Sequence, residues 1–140
     1  MYASQQDLID RFGEVELIEL SDRADPPAGA IDANVVNLAL SDADAEIDGY
    51  LARRYDLPLA STPARLVKVA SDIARKNLYK DAPLDEVTDN YKAAVRWLEN
   101  VSKGVVELDI AGNEPTGDTS SSPTFTAPDR VFTSDTLKDM

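Results

Sequence analysis

Three long stretches of the chain carry an apolar residue at every third or fourth position, the spacing that keeps side chains on one face of a helix. The pattern predicts long helices over about residues 33–54, from Pro63 to about Tyr79, and from Asp85 to about Lys103. The inward-facing positions are, in chain order, Val36, Leu40, Ala43, Ile47 and Leu51; Leu66, Ala70, Ile73 and Asn77 or Leu78; and Val87, Tyr91, Ala94, Leu98 and Val101. Because short loops join the three helices, we predict an all-α fold, a small antiparallel bundle.

Local signals mark the ends of these helices. Asp32 is placed to cap the first, and Leu57-Pro58 stops it, because the residue before a proline is pushed out of the helical region. Thr62-Pro63 joins a capping side chain to a proline at the first helical position. Asp85 can cap the third helix, and Gly104 is suited to end it, since glycine adopts the left-handed conformation common at helix C-termini.

Shorter helical segments precede the bundle. Ser4 and Asp7 match a capping box at the start of a short helix that Gly13 ends. Residues 14–20 have the pattern of one or two further helical turns, and the proline-containing loop 25–29 follows. The sequence therefore predicts a helical bundle domain over residues 1–104, with short N-terminal helices.

A change of composition after Gly104 indicates a second region, residues 105–140, interpreted as an extended C-terminal arm. Residues 105–110 alternate like a short strand or an extended segment. Residues 112–128 are rich in Ser, Thr, Pro and Gly, which is typical of a flexible linker. The end of the chain regains apolar anchors, and the candidate docking residues there are Arg130, Val131, Phe132 and Leu137. A frayed tail is an equally weighted alternative to a docking peptide.

The chain has no cysteine and no histidine. These absences exclude disulfides, thiolate chemistry, a Ser-His-Asp triad and the usual zinc sites. A carboxylate-based enzyme would need a pocket with two acids of different pKa. No motif supplies one, so we expect a protein that is not an enzyme and binds no cofactor. No apolar run predicts a membrane span, the N-terminus does not resemble a signal peptide, and we expect a protein made and used in a cytoplasm.

Charge is distributed unevenly along this acidic chain, whose net charge is −12. Residues 1–60 carry a net charge of −9, residues 61–104 carry +2, and residues 105–140 carry −5. A protein that reads duplex DNA is expected to present a basic stripe to the phosphates. The observed balance is the opposite, which argues against binding of nucleic acid by charge.

Four acids in the first long helix form the first candidate site: Asp42, Asp44, Glu46 and Asp48. Alternating acids are also found in calcium loops, but such a loop needs glycine at its sixth position, where this segment has Ile47. Acids four residues apart on a helix repel each other by a few tenths of a kcal/mol. A solvated acidic face is therefore favoured over a metal site.

Four cations in the second long helix form the second candidate site: Arg65, Lys68, Arg75 and Lys76. A nucleic-acid patch is one interpretation, but Asp72 interrupts the cations and no aromatic residues alternate with them. We favour pairing of this helix with the acidic helix 33–54, within one subunit or between neighbours. Opposite charges on two surfaces of one protein suit a head-to-tail subunit interface.

Several segments together resemble a family of small virion proteins of Mu-like phages and prophages. The segments that carry the resemblance are 1–13, 43–55, 57–59, 72–75, 94–98, 103–104 and 130–137. They cover most of the chain in the same order and spacing, whereas residues 21–31 and 112–128 differ. The family is similar to the head–tail connector, or adaptor, proteins of long-tailed phages.

The resemblance implies a helical bundle that assembles as a ring, typically dodecameric, beneath the portal protein in the neck of the virion. Such a ring extends the DNA channel and provides the surface on which the tail terminator docks. The C-terminal arm is implied to reach from the bundle to the portal or to a neighbouring subunit. The resemblance brings no catalytic residues.

A ring of twelve subunits would carry a charge on the order of −140. Carboxylates lining its channel would repel the phosphate backbone, so that DNA passes without specific binding. The four acids of the first long helix, or the acids of residues 7–25, are the candidates for this lining. The alternative function is that of a small acidic regulatory or antitoxin-like protein, which would be a monomer or dimer with one soluble protein partner.

Overall fold

The computed structural model describes residues 1–110, which form five α-helices and no β-strand. The helices are α1 (Gln5–Phe12), α2 (Glu14–Ser21), α3 (Ala33–Leu51), α4 (Ala64–Leu78) and α5 (Asp85–Ser102). The predicted all-α class, the three long helices and the two short N-terminal ones are confirmed. The linker 112–128 and the end of the chain lie outside the described residues.

The core lies between α3, α4 and α5, with α4 in contact with both of the others. Neighbouring helices run antiparallel: the Asn77 amide near the end of α4 donates to the Ala39 carbonyl near the start of α3. Likewise, Arg65 at the start of α4 lies over Trp97 near the end of α5. The predicted apolar positions are buried, except that Asn77 and Tyr91 are half-buried. Each fully buried Leu or Ile contributes about 1.5–3 kcal/mol.

Helices α1 and α2 extend this core. They contact each other and α3, and α1 also contacts α4. Leu8 of α1 and Leu17 of α2 are fully buried. Consequently α4 is covered from several directions, and every residue from Val69 to Arg75 is buried.

The predicted caps of α1 and α3 are confirmed. The Ser4 hydroxyl accepts from the Asp7 backbone N–H, and the Asp7 carboxylate accepts from the Ser4 backbone N–H. The Asp32 side chain accepts from the Asn34 N–H at 3.0 Å. Each cap satisfies donors that the first helical turn leaves free.

Three predicted boundaries differ from the structure. Helix α3 ends at Leu51 rather than near residue 54, because the chain turns there and brings Tyr55 into the core, where it is 2% exposed. Pro63 is itself the N-cap of α4 and not its first helical residue. Asp85 is the first residue of α5 and not its cap; it still favours the helix, since an acid in the first turn interacts with the helix dipole.

Residues 105–110 pack back onto the bundle. Leu108 and Ile110 belong to the buried core, and the Leu108 N–H donates to the Tyr55 hydroxyl at 2.9 Å. The strand alternative is wrong for this segment, because no neighbouring strand is present among the described residues to pair with it. The chain therefore leaves the described bundle beside Tyr55, close to the C-terminal end of α3.

Candidate interaction surfaces

One side of α3 faces solvent, and Asp42 is the only charged residue of this helix that is exposed. Five uncharged exposed residues, here called the outer stripe, are Asn34, Leu38, Ser41, Ala45 and Gly49. At 3.6 residues per turn these positions follow one line along the helix, opposite the buried line of Val36, Ala43 and Ile47. Leu38 is 64% exposed. The middle of the outer side of this helix is therefore uncharged and partly apolar, while its inner side is apolar.

The four predicted acids of α3 lie along both edges of the outer stripe. Asp42 and Glu46, four residues apart, share one edge, and Asp44 and Asp48 share the other. Asp42 is exposed, whereas the other three are partly buried. The segment is helical throughout and Ile47 is fully buried, so it does not have the geometry of a calcium loop. Within residues 1–110, no group of three or more acids is placed to hold a metal ion.

Three of these acids accept hydrogen bonds from tyrosines. Asp44 accepts from the Tyr2 backbone N–H at 3.0 Å and lies 3.8 Å from the N-terminal ammonium. Asp48 accepts from the Tyr2 hydroxyl, and Glu46 accepts from the Tyr91 hydroxyl at 2.9 Å. The N-terminal segment and α5 are thereby fastened to the two edges of the outer stripe.

Both phenols stay protonated at neutral pH. Burial, together with the hydrogen bond to Asp48, raises the pKa of Tyr2 above its ordinary value. Burial and the hydrogen bond to Glu46 raise the pKa of Tyr91 to about 12. A phenol whose pKa is raised in the fold stabilises it fully below about pH 10, the ordinary tyrosine value, and this stabilisation is lost as the pH rises through the folded value. Near neutrality the phenols therefore act as fixed hydrogen-bond donors.

A cavity of about 430 Å³ opens beside the N-terminal segment. It is lined by Met1, Tyr2, Asp44, Asp48, Leu57, Pro58, Leu59 and Thr62. Both of its carboxylates are already hydrogen-bonded to Tyr2. The cavity has no free pair of acids for general acid–base chemistry.

Arg75, predicted at a subunit interface, is directed into its own subunit. Its guanidinium is bound to Glu16 of α2 by contacts of 2.6 and 2.9 Å, and it reaches Glu86 of α5 at 3.4 Å. It also lies 4.4 Å from the centre of the Phe12 ring. The bond to Glu16 raises the pKa of Arg75, so the cation is permanently charged. Since Arg75 is only 8% exposed, little of it is left for a neighbouring subunit.

The other three predicted cations are also engaged within the subunit. Arg65 lies 5.6 Å from the Trp97 ring centre, and Lys76 lies 4.6 Å from that of Tyr91. Lys68 donates to Asp72, one turn further along α4, at 2.8 Å. Arg65 and Lys68 nevertheless remain exposed and could meet a second subunit.

The expected pairing of α4 cations with α3 acids inside one subunit is not found among residues 1–110. The ion pairs of the α4 cations go to α2, α5 and α4 itself. Pairing of α4 cations with the α3 acids of a neighbouring subunit stays a prediction, and Arg65 and Lys68 are the cations exposed for it. The candidate docking residues Arg130, Val131, Phe132 and Leu137 lie outside the described residues.

Sequence reasoning missed Glu16, Glu86 and Tyr2 as partners of the candidate residues. Glu16 lies 59 positions from Arg75, and Tyr2 lies 46 positions from Asp48, so no local spacing relates them. The resemblance of residues 1–13 to a phage family was the available signal that the N-terminus matters, but it indicated no contact.

These surfaces belong to a small, acidic protein whose described residues fold as a helical bundle, and comparison with known proteins places it among bacteriophage proteins. The family described as "Bacteriophage Mu, Gp36" matches residues 2–127, and the chain belongs to this family. The described part of the chain has no helix long and apolar enough to cross a membrane.

Two relatives illustrate the similarity. The chain is 38% identical over 103 residues to "Gene product J" of Escherichia phage Mu, covering 74% of this chain and 72% of that protein. It is 34% identical over 116 residues to the "Mu-like prophage FluMu protein gp36" of Haemophilus influenzae, covering 83% of this chain and 81% of that protein.

Proposed function

We propose that this protein is a structural head–tail connector, or adaptor, of a tailed phage. Twelve copies form a ring under the portal protein, in the neck of the virion, after assembly in the host cytoplasm. The ring extends the DNA channel and offers a docking surface to the tail terminator. The observation that carries the proposal is membership of the phage Mu family, a family that is similar to the connector proteins of long-tailed phages.

The state of the acids supports a structural role without catalysis. Asp44, Asp48 and Glu46 accept hydrogen bonds from tyrosines and serve to fasten the N-terminus and α5 to α3. The chain lacks the histidine and cysteine that most hydrolytic and redox mechanisms need. No cofactor is part of the proposal.

The edges of the outer stripe are the proposed lining of the channel. Four carboxylates per subunit, repeated twelve times, would give the lumen a dense negative field that repels phosphate. Packaged DNA would then slide through without specific binding. A reconstruction of the assembled neck in which basic or neutral surfaces line the lumen would refute this part of the proposal.

Light scattering provides the first test. The isolated protein is expected to remain small, because exposed acids on neighbouring copies repel. Addition of purified portal protein is expected to produce a large, symmetric complex containing both proteins. A monomer or dimer unchanged by the portal would contradict the proposal and favour the acidic regulatory protein that binds one soluble partner.

Removal of residues 112–140 is expected to abolish stable attachment to the portal while the bundle stays folded. The reason for expecting a folded bundle is that the retained residues contain the buried core described for residues 1–110, including Leu108 and Ile110. The reason for lost attachment is that apolar anchors after a linker are typical of a segment that orders on a partner. Circular dichroism checks the fold and co-sedimentation checks attachment. Undiminished co-sedimentation would rule out a docking role for the arm.

A further inference from the structure

An open groove of about 480 Å³ runs over α4 on the surface of the bundle. Helices α1 and α2 form one of its walls, α5 forms the other, and α4 is the floor. This α4 groove is lined by Arg11, Phe12, Glu16, Lys68, Asp72, Arg75, Glu86 and Asn90. Ala93 and Trp97 continue the α5 wall at the same helical spacing, and Arg65 continues the floor. The floor is therefore roughly three helical turns long, enough for a helix of a partner to lie along it.

The exposed charges beside the α4 groove are mainly cations. Arg11, Arg65 and Lys68 are exposed. Of the three acids in the lining, two are neutralised by ion pairs within the subunit, and the third, Glu86, contacts Arg75. In a protein whose net charge is −12, this surface favours an acidic occupant.

The outer stripe of α3 has the complementary properties. Its centre is uncharged, with Leu38 64% exposed and small residues at Ala45 and Gly49. Asp42 lies beside it as the one exposed charge of this helix. A surface helix normally carries its charged residues on the side away from the core. A face with an apolar centre and one exposed acid at its edge suits a partner that is partly apolar and cationic.

The two surfaces lie on opposite sides of the bundle. The Asn77 amide donates to the Ala39 carbonyl, which marks the side of α4 that faces α3. At about 100° per residue, the groove floor from Arg65 to Arg75 lies roughly 120–180° around α4 from Asn77. The outer stripe points away from the core on α3. Contact between these unlike faces would therefore join each copy to the next in a head-to-tail interface.

Charge disfavours contact between like faces. Two outer stripes would bring the acids of one copy against those of the other, and two grooves would bring Arg65 and Lys68 against their own kind. An outer stripe against a groove brings Asp42 to these cations instead. The lengths also agree, because the stripe extends roughly 16 Å from Leu38 to Gly49 and the ten-residue floor of the groove extends roughly 15 Å.

We propose that the outer stripe of α3 of one copy lies in the α4 groove of a second copy of this chain. Asp42 then meets Arg65 and Lys68 of the neighbouring copy. Leu38 packs against the apolar part of the groove beside Trp97, which is half-buried in the single subunit. The contact is made by two copies alone and needs no other protein.

This interface deepens the proposed function and rests on it, since a ring requires contacts between unlike faces of identical subunits. It also narrows the proposed lining of the channel. The neighbouring copy covers the edge of the stripe that carries Asp42 and Glu46. Asp44 and Asp48, on the other edge, are left to face the channel.

Cross-linking of two single-cysteine copies tests the contact. One full-length copy carries Ala45→Cys in the outer stripe and the other carries Ala93→Cys on the groove wall, since the chain has no natural cysteine. They are mixed at high concentration with a short bismaleimide, in about 0.15 M salt, where charge repulsion is screened beyond about 8 Å. A size tag on one copy separates mixed dimers from dimers of like copies. The mixed dimer is expected to form at least about fivefold more than with Val105→Cys in place of Ala93→Cys. Val105 is 72% exposed but lies outside the groove.

Two results would overturn the proposal. Equal yields of mixed dimer with Ala93→Cys and Val105→Cys would mean that the groove is not the preferred partner of the outer stripe. An excess of dimers between two Ala45→Cys copies would mean that like faces meet. Circular dichroism of each variant ensures that folded proteins are compared.

Charge reversal gives a second measurement of the same contact. Asp42→Arg in the Ala45→Cys copy is expected to lower the yield of mixed dimer at least about threefold, since repulsion replaces attraction to Arg65 and Lys68. Asp81→Arg changes the net charge equally, at an exposed position between α4 and α5, and is expected not to lower the yield. No loss with Asp42→Arg, or the same loss with Asp81→Arg, would contradict the contact.

Neither measurement uses the portal protein, so the interface and the proposed function can fail separately. A portal-dependent complex seen by light scattering, together with unselective cross-linking, would reject this interface and leave the connector role intact. Selective cross-linking without any response to the portal would support the interface and contradict the connector role.

Discussion

Replacement of Arg75 by methionine is expected to lower the free energy of unfolding by about 3 kcal/mol. The guanidinium joins α4 to Glu16 of α2 by two hydrogen bonds and packs on Phe12 of α1. Methionine keeps part of the packing but leaves Glu16, which is 27% exposed, without its cation. Urea unfolding, followed by circular dichroism, measures the change through the transition midpoint.

The two glutamates around Arg75 provide matched controls. Glu16→Gln is expected to lose a large part of the stability that Arg75→Met loses, because its partner is buried. Glu86→Gln is expected to cost less than about 1 kcal/mol, since Glu86 is 73% exposed and its contact is 3.4 Å long. A double-mutant cycle between Arg75 and Glu16 measures the interaction free energy of the two side chains. If the two glutamate variants lose equal amounts of unfolding free energy, burial does not determine how much each ion pair with Arg75 contributes to stability.

Gly104→Ala is expected to lower the free energy of unfolding by about 2 kcal/mol, through two separate effects. Gly104 follows α5 with a φ of +83°, which side chains other than glycine rarely adopt. In addition, the new Cβ would lie 1.7 Å from an Nη of Arg54, so the guanidinium must move. The Nε of Arg54 is buried without a hydrogen-bond partner, which indicates that the side chain is closely packed.

Gly13→Ala separates these two effects. Gly13 has a φ of +94°, but a Cβ there would meet nothing within 4 Å. Its substitution is therefore expected to show the backbone cost alone, about 1 kcal/mol. Adding Arg54→Ala to Gly104→Ala is expected to restore the part of the loss that comes from the collision. Two results together would contradict the collision: equal destabilisation by Gly13→Ala and Gly104→Ala, and no recovery of stability when Arg54→Ala is added to Gly104→Ala. The contact with Arg54 would then contribute nothing to the loss.

The helices and their buried faces were determined by the sequence alone. The apolar positions of α3, α4 and α5 recur at helical spacing, and the caps at Ser4 and Asp32 depend on residues two or three positions away. Such signals act within one or two helical turns, so the helices that they predict do not depend on what each helix packs against. The boundaries near Leu51, Pro63 and Asp85 were less accurate, because several residues near a helix end can serve as its cap.

The tertiary structure decided which charged residues are free. Arg75 was expected to pair with the acidic helix 33–54, within one subunit or between neighbours, yet it is buried against Phe12 of α1 and Glu16 of α2. Asp44 and Asp48 were placed together on an acidic face, but only the folded chain brings Tyr2 to them. Residues 105–110 alternate like a strand, and they pack on the bundle because Tyr55 turns into the core and offers its hydroxyl.

One physical reason explains why the helices were predictable from the sequence and the partners of the charged residues were not. A local pattern fixes how each helix presents its apolar side, because period and cap lie within a few residues of each other. The burial and partner of a charge depend on segments that are distant in sequence, such as Glu16 and Arg75, and are set when the helices pack. The sequence thus determined the helices and their apolar sides, whereas only packing determined which charged residues remain available to a partner.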